Sequence, residues 1–132
     1  MYWLFKTEPG TYSWSDLVKS GRETWDGVLN PLAQKNLRLV GKRDGIFIYH
    51  TGAEKAIVGI AQAVSGGYAD PSDKSGKLTV VDIMPKEPLP RPVPLSLIKS
   101  NPKLRAWDLV RLPRLSVMPV SNEIWQEVLR LS

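Results

Sequence analysis

Residues 25–38 read WDGVLNPLAQKNLR. Asn30-Pro31 marks a helix start. An asparagine side chain accepts from first-turn amides, and the fixed φ and missing N–H of proline suit the first helical position. Leu32, Leu37, Leu39 and Val40 follow, and Gly41 is placed to end the helix. Trp25 stands in Glu23-Thr24-Trp25-Asp26-Gly27-Val28, where polar residues and Gly27 predict a loop rather than a core element. A tryptophan on a loop offers a flat face, and base–aromatic stacking is worth about 1–3 kcal/mol per base. The competing fate of an indole is burial in the core.

Outward from this segment the chain alternates strands with short helices. YWLFK (2–6) reads as a strand ended by the turn Glu8-Pro9-Gly10. Ser13 caps a helix, with Asp16 three residues on answering the amide of the cap. GIFIYH (45–50) and AIVGIAQAV (56–64) predict two strands, and LTVVDIM (78–84) a third. Pro85, Pro88, Pro90, Pro92 and Pro94 then impose an extended, non-helical stretch, followed by a helical turn at 95–99. LSVMPV (115–120) is a last strand. Ser121 or Asn122 caps a final helix with Ile124, Val128, Leu129 and Leu131 on its apolar face. The pattern is α+β, a single domain over residues 1–132 built around a small mixed barrel.

The chain has 132 residues, 42% hydrophobic and 23% charged, and no cysteine. A domain of this size needs no disulfide or metal to fold. Thiolate metal sites and cysteine nucleophiles are excluded. With His50 the single histidine, so is a histidine metal cluster. No run of about 18 apolar residues is present to span a membrane. Neither a leader pattern, a phosphate-cradling glycine loop nor a GxSxG motif occurs. The net charge of +5 is concentrated: residues 86–114 hold seven Lys/Arg against two Asp/Glu. There Arg91, Lys99, Lys103, Arg105, Arg111 and Arg114 are candidates for nucleic-acid backbone contact, with a solvated basic surface as the plain alternative.

Tyr49-His50-Thr51-Gly52 ends a strand with polar side chains. Alternation places Tyr49 on one face and His50 with Ile48 on the other. His50 is either a satisfied interior histidine or a ligand contact, and Lys6 and Glu8 are either pocket groups or a surface ion pair. A hydrolase pairing His50 with a carboxylate and Ser13 or Ser116 is an open alternative that no spacing specifies.

Taken in order, YWLFKTEP (2–9), YSWSDL (12–17), WDGVLNPLAQKNLR (25–38), IYHTG (48–52), IVGIA (57–61), VVDI (80–83) and LVRLPRLSVMPVS (109–121) resemble EVE domains of the PUA-like superfamily over nearly the whole chain. The resemblance implies a PUA-like β-barrel of about five or six strands with short peripheral helices. It implies a non-catalytic module whose pocket takes an extruded nucleobase, in some relatives a modified cytosine or adenine, with no metal or organic cofactor. The partner expected is DNA or RNA carrying a modified base. A general RNA-binding accessory role through the basic segment is the alternative. Carried over by position, the pocket residues are Trp25, Asn30, Tyr49, His50, Lys6, Thr7 and Glu8, with Ser13 and Trp14 as weaker candidates; Arg114 and Ser116 lie in a family motif. Leu29 and Gln34 stand where longer relatives carry arginine, which implies two missing charges at the pocket mouth. The short loop from Gly66 to Lys77 implies a more open pocket. The short form and missing targeting segment imply a bacterial, cytoplasmic monomer.

Overall fold

The computed structural model describes all residues, 1–132, as a curled mixed sheet of seven strands with five short helices against it. The strands are β1 (Tyr2–Thr7), β2 (Glu23–Trp25), β3 (Gly45–His50), β4 (Ala56–Ala63), β5 (Tyr68–Ala69), β6 (Thr79–Pro94) and β7 (Val117–Val120). The helices are α1 (Trp14–Ser20), α2 (Pro31–Leu39), α3 (Leu95–Ser100), α4 (Asp108–Arg111) and α5 (Asn122–Leu131). The sheet order is β2-β6-β4-β3-β1-β7, with β5 on β6.

β1 runs parallel to β3 and antiparallel to β7, so it is an interior strand. Strands covered on both faces read as continuous apolar runs rather than alternating ones. Trp3, Leu4 and Phe5 are buried in succession, as are Ile46 to His50. Tyr49 and His50, expected on opposite faces, are therefore both buried, and the register of β3 against β4 slips between Ile48 and Tyr49.

Three strands differ from what the sequence predicts. Residues 23–25 form a strand, not a loop, because Trp25 pairs with Val81 and Glu23 with Ile83. The strand expected over 78–84 continues through the proline-rich stretch to Pro94. Beyond Ile83 this segment pairs with β4 alone, and an edge tolerates residues with no N–H to give to the ladder. β5, two residues long, carries no recognisable pattern.

α2 closes the half-barrel. Buried Gln34 donates from Nε2 to the carbonyls of Val28 (2.6 Å) and Thr79 (3.2 Å) and accepts at Oε1 from the Thr79 amide (2.8 Å). Buried Asn36 donates to the Val117 carbonyl (2.8 Å). The helix thus fastens the start of β6 to β7, strands that the sheet order keeps far apart. Buried polar groups persist when their hydrogen bonds are made, and these account for both residues. Gln34 consequently lies in the interior and not at a pocket mouth.

Candidate functional site

A cavity of about 560 Å³ opens between the end of β1 and β2. Lys6, Thr7 and Glu8 come from β1 and its turn, Thr11 and Tyr12 from the next residues, Glu23 to Trp25 from β2, 26–29 from the following loop, and Ser116 from the approach to β7. The size falls within the roughly 300–1,000 Å³ typical of small-molecule pockets.

Each wall has a local cause. Gly10 donates its amide to Glu8 Oε1 (2.7 Å), turning the carboxylate back over the turn. A Cβ at Gly52 would lie 2.9 Å from Glu8 Oε2, so glycine there leaves room for the carboxylate, and its φ of +78° suits glycine as well. The Thr7 hydroxyl donates to the Tyr12 carbonyl (2.6 Å), holding the segment after the turn against β1. Lys6 Nζ donates to the Pro113 carbonyl (2.8 Å) and stands 5.7 Å from the Tyr49 ring centroid. Burial lowers the Lys6 pKa from its ordinary value. Trp25 is 8% exposed, with Phe5 tilted against it at 5.6 Å and Tyr12 edge-on at 6.1 Å.

One lysine and three carboxylates, those of Glu8, Glu23 and Asp26, line the cavity. Glu23 Oε1 accepts from the Thr24 amide (3.0 Å). Nowhere in the structure do three His, Cys, Asp or Glu side chains gather closely enough to hold a metal ion. The lining is rich in acceptors, so it suits a flat ligand that presents amino groups rather than a bare phosphate.

Of the residues expected to converge, the structure brings together Lys6, Thr7, Glu8 and Trp25. The other five lie outside the lining. Asn30 Oδ1 caps α2 by accepting from the Ala33 amide (3.0 Å). His50 is buried, with Nε2 accepting from the Trp14 amide (2.9 Å) and Nδ1 donating to Glu54 Oε1 (2.7 Å). It joins the end of β3 to the start of α1. Both ring nitrogens are used and neither meets a serine, which removes the geometry of the hydrolase alternative. Tyr49 is buried behind Lys6, and burial raises its pKa. Ser13 caps α1 in the expected box with Asp16. Trp14 lies across β4 so closely that a Cβ at Gly59 would fall 2.6 Å from its ring.

Tyr12, Glu23 and Asp26 line the cavity, yet sequence reasoning gave them no place in it. The alternation Glu23-Thr24-Trp25-Asp26, polar on both sides of one indole, was the available signal. The loop 66–77 also lies outside the lining. It is organised by Asp73, whose carboxylate accepts from the amides of Ser75, Lys77 and Leu78. The six basic candidates do not form one face of the cavity. Arg111 is paired with Asp108 (2.6 Å), and Lys99 borders a separate groove with Lys55 and Leu95. Arg91 is on β6, and Lys103 and Arg105 follow α3. Arg114 sits between Pro113, which holds Lys6, and Ser116, which lines the cavity.

Known proteins resemble this chain over nearly its whole length. A protein of Rhodopseudomonas palustris is 41% identical, with a TM-score of 0.94 over 98% of this chain and 91% of that one. Mouse thymocyte nuclear protein 1 is 29% identical over 164 residues, 98% of this chain and 73% of its own length. The human THYN1 protein in complex with 5-methylcytosine-containing DNA is 28% identical, with a TM-score of 0.87 over 98% of this chain and 96% of that one. The EVE domain model matches residues 1–131, and the chain belongs to the EVE domain family.

Proposed function

We propose that the chain is a non-catalytic nucleic-acid-binding module that holds an extruded cytosine or adenine, carrying a modification, in the cavity between β1 and β2. The observation that carries this reading is the composition of that cavity: Trp25 in one wall, with Glu8, Glu23 and Asp26 around it. It is strengthened by a relative that covers 98% of this chain and is in complex with methylcytosine DNA.

A base taken out of its stack costs a few kcal/mol in unpairing and unstacking. The pocket offsets this by contact with Trp25 and by bonds to the base edge. Carboxylates accept from the exocyclic amines of cytosine and adenine, whereas the O4 of thymine or uracil is itself an acceptor and meets repulsion. Lys6, half-buried and anchored on Pro113, supplies the one cationic donor of the lining.

Isolated bases bind at micromolar affinity or weaker on this account. One or two stacking contacts of about 1–3 kcal/mol and a few hydrogen bonds of about 1 kcal/mol are set against association entropy. Phosphate contacts outside the cavity supply the rest.

The test is a titration of cytidine, 5-methylcytidine, adenosine and uridine, followed by tryptophan emission. The expected result is saturable quenching by the amino-bearing nucleosides, weakened in Glu8→Gln and reduced in amplitude in Trp25→Phe. Equal response to uridine, or quenching indifferent to both substitutions, overturns the reading.

A further inference from the structure

Leu29 is the large apolar side chain that least fits its surroundings: it is 73% exposed, yet it stands on the rim of the cavity. Its exposure is built in from both sides. Before it, Gly27 turns the chain at φ +72°, Val28 is buried, and the Val28 carbonyl is held by Gln34 at 2.6 Å. After it, the Asn30 side chain caps α2 and Pro31 opens the helix. Leu29 is therefore the outward residue of a short bracket fixed at each end, and it has no freedom to fold back into the core.

Resting on the base-pocket reading above, we propose that Leu29 is a wedge that enters the stack of a DNA duplex and occupies the space left by the extruded base. A base leaving a duplex opens a flat apolar gap between its neighbours. Apolar side chains inserted at such steps stabilise the unstacked geometry. The wedge must lie beside the pocket that takes the base, and Leu29 lines the rim of that cavity. It must also be held stiffly, or ordering it would cancel the gain. A single strand or a free nucleoside leaves no gap to fill, so the wedge makes double-stranded DNA the favoured substrate form.

The experiment compares three probes: a DNA duplex with one 5-methylcytosine, the same modified strand alone, and 5-methyldeoxycytidine. Leu29 is exposed, and an unchanged melting temperature checks that the variants fold. Leu29→Ala removes three carbons and is expected to weaken duplex binding about tenfold, the scale of their partial burial in the stack. Affinity for the strand and the nucleoside should stay within about twofold. Leu29→Met should retain duplex binding. Leu39→Ala, at another exposed leucine, on α2 and outside the lining, should change nothing. Equal losses on all three probes, or no loss on the duplex, overturn the wedge alone. Failure of the wild-type chain to bind any of the three overturns the pocket reading and the wedge with it.

Discussion

Two tryptophans, Trp125 of α5 packed at the start of β1 and Trp25 of β2 beside the cavity at its other end, show how this fold treats an indole that is nearly buried. Trp125, 6% exposed, lies between Tyr2 at 4.1 Å and Phe47 at 3.8 Å, with interplanar angles of 11° and 16°. Both of its faces are filled. Trp25, 8% exposed, has Phe5 tilted by 38° and Tyr12 at 78°, each beyond 5 Å. Neither neighbour stacks on it, and a cavity lies beside it. Burial alone does not tell the two indoles apart; ring geometry does. Offset-stacked aromatic pairs are worth about 0.5–1.5 kcal/mol beyond the area they bury. Each indole also borders a hollow, about 370 Å³ at Trp125 and about 560 Å³ at Trp25, so what separates them is that rings are stacked on the first and none on the second.

The comparison breaks most sharply in a crossed pair of substitutions. Trp125→Ala removes the middle ring of a three-ring stack and should cost about 3–5 kcal/mol, the range for deleting a large core aromatic. Nucleoside binding in the protein that remains folded should be unchanged. Trp25→Ala should cost less, about 2–3 kcal/mol, because no ring is stacked on it, and it should abolish nucleoside binding. Denaturant unfolding and equilibrium titration on both variants measure the four quantities. Equal binding losses would mean that the two rings play the same role.

Gln34 tests whether the open end is held open by its struts. Gln34→Ala strands the Val28 carbonyl and both Thr79 backbone groups, each now paired with its side chain. Unsatisfied buried groups cost about 1–3 kcal/mol each, and partial relaxation brings the expected loss to about 2–4 kcal/mol. Because Val28 adjoins Leu29 on the rim, DNA binding should weaken as well. A destabilised variant with wild-type binding would show that the strut serves the barrel and not the site.

Much of the fold was legible because local chemistry and tertiary position agree. Ser13 with Asp16, Asn30-Pro31 and Ser121 each cap the helix they announce. The strands at 2–6, 45–50 and 56–64 are apolar runs in an interior sheet. What was hidden depends on partners distant in sequence. Nothing local to Glu23-Thr24-Trp25 shows that Val81 to Ile83 will pair with it, and the prolines after Met84 concealed an edge strand. The site was half legible for the same reason. Lys6, Thr7 and Glu8 fall at a strand end, where ligands are commonly met. His50 and Asn30 look equally polar in sequence, but an amide of α1 and an amide of α2 claim them. A side chain suited to reading a base is also suited to capping a helix, and composition does not say which it does.

Acid should loosen the filled end through α5, the helix that carries Trp125. Bonds from Arg130, then from Asn101, hold the Glu127 carboxyl at about 2, below its ordinary 4.5. A depressed carboxylate pKa contributes stability that is fully present above the unfolded value and disappears as pH falls through the folded one. The contribution of Glu127 is therefore present above 4.5 and lost between 4.5 and about 2. Thermal unfolding should show wild type exceeding Glu127→Gln at pH 6, with the gap closing toward pH 2. A gap that persists at pH 2 would assign the difference to packing rather than to the charge.

The smallest effect concerns which cations belong to the open end. Arg114 lies between the residue that anchors Lys6 and a residue of the lining, so its backbone stands beside the site and its side chain is within reach of a duplex docked there. Arg111 is already paired with Asp108, Arg91 is on β6, and Lys103 lies between α3 and α4. A phosphate contact adds about 0.9 to the slope of log affinity against log salt for duplex DNA. Arg114→Gln should therefore lower that slope by about one and weaken binding at low salt, with less change at high salt. Lys103→Gln and Arg91→Gln should leave the slope alone. If those two lower it and Arg114→Gln does not, the anionic backbone runs over the proline-rich edge and α3 instead of past the cavity. The basic segment would then bind nucleic acid independently of the base, and the difference between the two ends of β1 would have no bearing on recognition.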